Sequence, residues 1–485
     1  MGTPWADAVE THTAAVFFAG DKAYKLKKPV DLGFVDFSST PKRRVACEDE
    51  VALNRRLAPD VYLGVADVVG PGNEPAEPLV VMRRMPASRR LSTLITGCSG
   101  DLEPALVQTA RLIADFHERC AIHSRPWSPG SYDRVRSLWD QELQGLAQHA
   151  AGIIDNDAIN RMRVHAQHYL RGRRALFDER LAAGRVRDGH GDLQADDIFI
   201  LPDGPRVLDC LDFDEQLRIG DVLLDVAFLA MDLERLGAPT LARTFLDAYR
   251  EFSAETHPAS LEHFFIAYRA NIRAKVACIR VAQGDVTAAN AAKQLAQLCQ
   301  EHLNAATTRM VLVGGLPGSG KTTLATELAS RRGWVHLNSD VVRKELAGLA
   351  ATPIPASDFG AGLYAPEITR RTYSTLLDRA ATAIQRGESV VLDASWSDRD
   401  LREQARAVAQ TTTALITELM CVVPEEVATR RLAARQHGPS DANPSIRHAM
   451  ASGFGAWPKA TSVCSDQPPS NAADAAAIAV DATTP

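Results

Sequence analysis

Apolar and polar positions recur along this chain with periods that mark its elements. Ala14-Ala15-Val16-Phe17-Phe18-Ala19, then Gly20-Asp21-Lys22, then Ala23-Tyr24-Lys25-Leu26-Lys27 predicts a β-hairpin. Its second arm alternates, with Lys25 and Lys27 on one face and Tyr24 and Leu26 on the other. Residues 41–57 read as a helix, 61–69 as a strand, and 78–85 as the returning strand after a Pro71-Gly72-Asn73-Glu74-Pro75 turn. From residue 102 the spacing turns helical, with Leu106, Ala110, Ile113 and Phe116 in register. Two short strands are expected between 186 and 214, carrying a loop with Asp192 and, on the return strand, Asp212. Residues 221–306 read as mostly helical. A different pattern begins at Met310, where short apolar strands (310–314, 334–338, 388–393, 415–423) alternate with helical stretches, as in an α/β domain with a mostly parallel sheet. Ala477-Ile478-Ala479-Val480 near the end reads as a short buried strand or as an apolar patch on a frayed tail.

The strand at 310–314 runs into Gly315-Leu316-Pro317-Gly318-Ser319-Gly320-Lys321-Thr322-Thr323, the strand, glycine loop and helix of a phosphate-binding loop. Gly315, Gly318 and Gly320 allow tight turns that aim backbone N–H groups, with those of Ser319 and Thr323, at a phosphate. Lys321 supplies charge to the β/γ phosphates, and the Thr322 hydroxyl is a Mg²⁺ ligand. These residues predict that the chain binds a nucleoside triphosphate. Further on, Asp340 ends a strand and Arg343 follows one helical turn later. A carboxylate orients an acceptor hydroxyl and takes its proton, while an arginine meets phosphate or substrate anions. Helix capping by Asp340 is the alternative. Asp393 closes another apolar strand and is placed for Mg²⁺ or its water. Arg430, Arg431 and Arg435 precede Pro439-Ser440-Asp441-Ala442, either as a lid over the phosphates or as a charged surface helix.

In the first half, Asp192 and Asp212 read as a base and a metal ligand, or as turn caps and solvent charge. His190-Gly191-Asp192-Leu193 with Asp197, Leu211-Asp212-Phe213, and Gly220-Asp221-x3-Asp225 resemble the aminoglycoside phosphotransferase-like kinases. That resemblance implies Asp192 as base, Asp212 and Asp197 as Mg²⁺ ligands, and Gly220, Asp221 and Asp225 as loop anchors. Asp197 stands where the family usually has Asn, which adds negative charge beside a triphosphate. The resemblance also implies Lys25 as the phosphate-gripping lysine with Glu50 as its partner, Lys27 as the alternative, and residues 80–85 as the adenine-binding hinge. Arg269, Arg273 and Lys275 read either as a substrate clamp or as a solvated helix face.

The second half is similar to P-loop small kinases related to the polynucleotide 5′-hydroxyl kinase domain, gluconate kinase, chloramphenicol phosphotransferase and zeta-type toxins. By that similarity Asp340 is the acceptor-side base, Arg343 a substrate or phosphate contact, Arg431 and Arg435 lid residues, and Arg399 a residue that relatives sometimes turn to the acceptor. The fold expectation is an α+β two-lobed kinase-like domain (1–300), a linker (301–309) and an α/β P-loop domain (310–485).

Composition narrows the partners. A net charge of −6 over 485 residues gives nucleic acid little electrostatic help. Eight scattered cysteines with no Cys-x-x-Cys offer no zinc or dithiol motif. No basic-apolar leader and no run of 18 apolar residues favour the cytoplasm. The expected activity is ATP- and Mg²⁺-dependent phosphorylation of a small-molecule hydroxyl. A 5′-hydroxyl nucleic-acid kinase, or one active kinase regulated by a degenerate binding domain, are the alternatives.

Overall fold

A computed structural model describes residues 6–10, 13–31, 35–69, 75–98, 100–124, 130–349, 362–434 and 444–484. Arg435, the 71–74 turn residues and the 439–442 segment named above lie outside the described residues. The chain divides into two compact units. Residues 1–159, 177–257 and 262–302 form the first; residues 160–176, 258–261 and 303–485 form the second.

The first unit opens with β1 (Ala6–Glu10), β2 (Ala14–Ala19), β3 (Lys22–Lys27), β4 (Tyr62–Val69) and β5 (Pro75–Arg83). They make one sheet in the order β1-β2-β3-β5-β4, antiparallel throughout. Helix Thr40–Asn54 buries Cys47 and Val51 in the core that holds Ala23, Val80 and Met82. The same helical stripe buries Glu50, three residues after Cys47. Two short antiparallel pairs follow: β6 (Val186–Asp188) with β9 (Ile219–Asp221), and β7 (Ile198–Leu201) with β8 (Gly204–Val207). The expected return strand thus ends at Val207, and Asp212 lies in irregular chain beyond it. The remainder is helical, with Val222–Arg235, Pro239–Ser253, Ala259–Ala282 and Ala288–Ala306.

The second unit is built on β10 (Arg309–Gly314), β11 (Val335–Asn338), β12 (Val390–Asp393), β13 (Leu415–Val422) and β14 (Thr461–Cys464). The order is β11-β12-β10-β13-β14, and every pair is parallel. Both faces are covered, which is why β10 reads as an unbroken apolar run. Met310 and Leu312 enter one core with Leu376, Val390 and Leu392, while Val311 and Val313 enter the other with Leu324, Val391 and Leu419. Strand order reverses at β10, and the crevice at its carboxyl end is where such sheets bind ligands.

The chain end corrects the strand reading of 477–480. Pro469–Asp481 is a helix with Ala472, Ala473, Ala476 and Val480 buried. Alanine favours helix, Pro469 suits a first helical turn, and the buried positions recur at helical spacing. The fifth strand is instead β14, where only Val463 is buried among Thr461, Ser462, Val463 and Cys464. Its polar residues hid it from an apolar-run search.

Candidate active sites

In the first unit, β3 and helix Thr40–Asn54 bring Lys25, Lys27 and Glu50 together. Lys25 Nζ lies 2.9 Å from Glu50 Oε1, and Lys27 Nζ lies 2.8 Å from Glu50 Oε2. The expected Lys25–Glu50 partnership is present, and the alternative lysine shares it. Each ammonium also reaches a second carboxylate: Lys25 contacts Asp209 Oδ1 at 3.1 Å, and Lys27 contacts Asp212 Oδ2 at 2.8 Å. Burial disfavours charge on Glu50, yet the two lysines hold it below the ordinary carboxylate range.

The Asp192 loop is pinned from beneath. Asp225 accepts hydrogen bonds from His190 N (2.6 Å) and Gly191 N (2.8 Å), and contacts His117 Nε2 at 3.1 Å. Burial disfavours its ionisation, but His117 and those N–H groups keep its pKa low. A Cβ on Gly189 would stand 2.2 Å from Asp225 Oδ2, so the close approach requires glycine. Asp221 binds Arg180 through Nε at 2.5 Å and Nη2 at 2.8 Å, and caps the next helix at Leu223 N. Both aspartates anchor, as the resemblance implied.

Asp192 and Asp197 flank this loop. Burial pushes Asp192 up to about 6, while Arg273 and Arg269 pull it down and Asp209 pushes it up. Asp197 is pushed well above the usual range by burial and then by Asp209, Asp192 and Asp196. Asp209, named by no motif, is therefore the carboxylate that joins Asp192 and Asp197. The ammonium of Lys25 draws it below the ordinary range. The mutual repulsion of these carboxylates is one that a Mg²⁺ brought with the nucleotide would relieve. Among the described residues no group of three or more His, Cys, Asp or Glu is placed to hold a metal ion by itself. Nucleotide oxygens and water would have to supply the other ligands.

In the second unit, Gly318, Gly320, Lys321, Thr322 and Thr323 line a cavity of about 780 Å³ together with Asp340, Arg343, Asp393 and Arg431. Gly315, at φ 133°, packs so close to Cys421 that an added Cβ would lie 2.7 Å from that carbonyl oxygen. Ser319 Oγ is buried with no hydrogen-bond partner among the described residues. Lys321 Nζ donates to Leu316 O at 3.2 Å, folding back over the loop. Arg431 Nη2 donates to Ser465 O at 2.6 Å, and its guanidinium would sit 3.3 Å from a Cβ on Gly320. Arg399 opens the helix Arg399–Thr411 and is not among the cavity residues; Ser397 and Asp398 are.

Helix Ser339–Leu346 is capped by Asn338, whose Oδ1 accepts from Asp340 N (2.9 Å) and Val341 N (3.1 Å). That rules out the capping role for Asp340 and leaves its carboxylate on Arg343. Arg343 is 6 % exposed, lies 4.5 Å from the centre of the Tyr364 ring, and keeps Nε unbonded among the described residues. Asn338 Nδ2 also donates to Asp393 Oδ2 at 2.5 Å, tying the end of β11 to the end of β12. Thr322 and Asp393 present a hydroxyl and a carboxylate to one cavity, a donor set that fits Mg²⁺. Sequence reasoning missed Asn338; an Asn two residues before a helical Asp is a capping signal that was there to read.

Residues 310–456 match a family model described as an AAA domain. Over 454 residues the chain is 40 % identical to an uncharacterized protein of Mycobacterium tuberculosis, covering 94 % of this chain and 91 % of that one. The chain belongs to that protein's family. A Mycobacterium bovis member matches at the same identity and coverage. Among solved structures, a choline/ethanolamine kinase family protein from Mesorhizobium loti overlaps 63 % of this chain and 92 % of its own, at 15 % identity and TM-score 0.40. A gluconokinase from Sinorhizobium meliloti overlaps 36 % of this chain and 91 % of its own, at 18 % identity and TM-score 0.27. No helix among the described residues is long and apolar enough to cross a membrane.

Proposed function

We propose that this protein is an ATP- and Mg²⁺-dependent phosphotransferase that phosphorylates a hydroxyl of a small molecule, with two kinase-like sites. The observation that carries the reading is the meeting of Lys321, Thr322, Asp340, Arg343 and Asp393 on one cavity at the carboxyl edge of a parallel sheet. The phosphate loop and Lys321 hold and neutralise the triphosphate. Asp340 orients the acceptor hydroxyl and receives its proton, and Arg343 keeps Asp340 in place. Thr322 and Asp393 would hold Mg²⁺, which supplies charge neutralisation between phosphate oxygens. Tyr373 donates or accepts at Ser395 Oγ (3.1 Å) and accepts from Trp396 N (3.2 Å), stiffening the acceptor wall. In the first site Lys25, set by Glu50, grips phosphates; Asp192 is the base; Asp197 and Asp209, with Asp212 beside Lys27, would hold a Mg²⁺ that neutralises phosphate charge.

The test is equilibrium ATP binding and phosphate transfer in an Asp192→Asn background, with acceptors drawn from a metabolite screen. Lys321→Ala should lower nucleotide affinity and turnover together, because its charge meets the phosphates in both ground and transition states. Asp340→Asn should bind ATP normally and turn over roughly 10²–10⁴-fold more slowly. Near-normal transfer by Asp340→Asn removes it as the base and points to Asp393. Lost ATP binding in that variant places Asp340 on the nucleotide side.

A further inference from the structure

Helix Ala259–Ala282 carries Arg269, Arg273 and Lys275, and they are not equivalent. Lys275 is ion-paired with Glu142. Arg269 is 8 % exposed, donates from Nε to Leu224 O at 3.0 Å, and lies 4.6 Å from the centre of the Phe228 ring. It also lines a small cavity with Gly189, Gly220 and Asp225, at the root of the Asp192 loop. Arg269 is thus fixed in place, contrary to a solvated helix face. Arg273 is four residues on, on the same helical stripe and half-buried. None of the described residues forms a hydrogen bond or ion pair with it, and it lies one turn beyond Arg269, within electrostatic reach of Asp192. Asp192 therefore meets charge from two parts of the unit: Asp209, held by Lys25 of β3, and the two arginines of this helix.

A guanidinium carries five N–H donors in a planar fork that matches carboxylate and phosphate. Among the described residues Arg273 has its donors unspent, one helical turn from the root of the loop whose aspartate receives the acceptor's proton. We infer that Arg273, backed by Arg269, binds an anionic group on the acceptor, so that the first site takes a hydroxyl compound bearing a carboxylate or a phosphate. The inference rests on the proposed kinase reading of that site. An ammonium-bearing acceptor would meet the positive charge of Arg273 near Asp192, whereas an anionic one gains a charge-assisted, two-point hold that also orients its hydroxyl.

The test uses the full chain with Lys321→Ala, which silences the second site. ADP release from Mg²⁺–ATP is followed with glycerate and glycerol 3-phosphate, against glycerol and choline. The anionic pair should show kcat/KM at least roughly 10-fold above the others. Arg273→Gln should raise KM for the anionic acceptors about 10–100-fold without moving the KM for ATP, and Arg273→Lys should recover part of the loss. A preference for choline or glycerol overturns the inference. So does a loss in Arg273→Gln shared equally by every acceptor, which would assign Arg273 to the transferring phosphate. Calorimetric titration of the same protein with glycerate and inorganic phosphate, in Mg²⁺–ADP, separates the two layers. Anion binding that Arg273→Gln abolishes, without turnover of any acceptor, upholds the anion site and sinks the kinase reading of the first unit. Turnover without anion selectivity does the reverse. An outcome with neither turnover nor anion binding overturns the inference.

Discussion

Asp209 sits at φ 62°, a left-handed backbone that costs a side-chain-bearing residue roughly 1–2 kcal/mol. Such a conformation persists when the surroundings hold it, and here the holding contacts run from Lys25 Nζ to its carboxylate and from its own N–H to Tyr62 Oη at 3.2 Å. Asp212, three residues on, is occupied by Lys27 at 2.8 Å. Because the Asp209 charge acts on both Asp192 and Asp197, Asp209→Asn should weaken Mg²⁺–ATP binding at the first site roughly 10-fold or more, while Asp212→Asn should do much less. Titrations in Mg²⁺ and Mn²⁺ on the Lys321→Ala chain decide this, and the opposite ranking restores Asp212 as the nearer metal ligand. The His-Gly-Asp loop and the phosphate loop were legible because their chemistry acts through adjacent residues. Asp209 was not, because it belongs to no motif and its place at the site is set by Lys25, 184 positions away.

At the scale of elements, helix Ser339–Leu346 shows how one cap sets a site. Asn338 accepts two backbone N–H groups through Oδ1 and donates to Asp393 through Nδ2, so it fixes Asp340, Arg343 and Asp393 at once. Asn338→Ala should cost about 1 kcal/mol, seen as a lower Tm, and reduce turnover more than ATP affinity. Asn338→Asp keeps the cap acceptor but sets a carboxylate against Asp393. Its Tm should stay close to that of the parent, while the Mg²⁺ concentration needed for half-maximal turnover changes. An Asn338→Asp variant that matches the parent in Tm, turnover and Mg²⁺ requirement would reduce Asn338 to a cap alone. Strands β10, β12 and β13 were readable because two-sided burial writes an apolar run. The exposed, polar β14 carries no such run, and the final helix was obscured because Ala-Ile-Ala-Val satisfies a strand pattern over four residues.

At the scale of the whole molecule, the second unit is not contiguous in sequence. Residues 160–176 and 258–261 belong to it, and no composition shift or linker announces them. Their contacts are tight. Arg173 is fully buried and donates to Thr412 O at 2.8 Å and Thr413 O at 3.4 Å. Ser260 Oγ donates to Gly387 O at 2.6 Å. A Cβ on Gly172 would stand 2.2 Å from Thr412 O, and one on Gly387 would stand 2.8 Å from Pro258 Cγ, so two glycines permit the approach. A fragment beginning near Asn304 keeps all five parallel strands and should still unfold cooperatively. It lacks Arg173 and Ser260, however, so its Tm should lie below that of the same strands in the intact protein. Gly172→Ala in the full chain isolates the contribution without truncation. Overpacking of this kind typically costs about 1–3 kcal/mol, a few degrees in Tm for a unit this size. Hydrogen exchange gives the location: amides of β10, β12 and β13 should lose protection in Gly172→Ala, while those of β2, β3 and β5 should keep it. Unchanged protection in β10, β12 and β13 would mean that residues 160–176 lie against the second unit without stabilising it, and a fragment as stable as the intact unit would say the same.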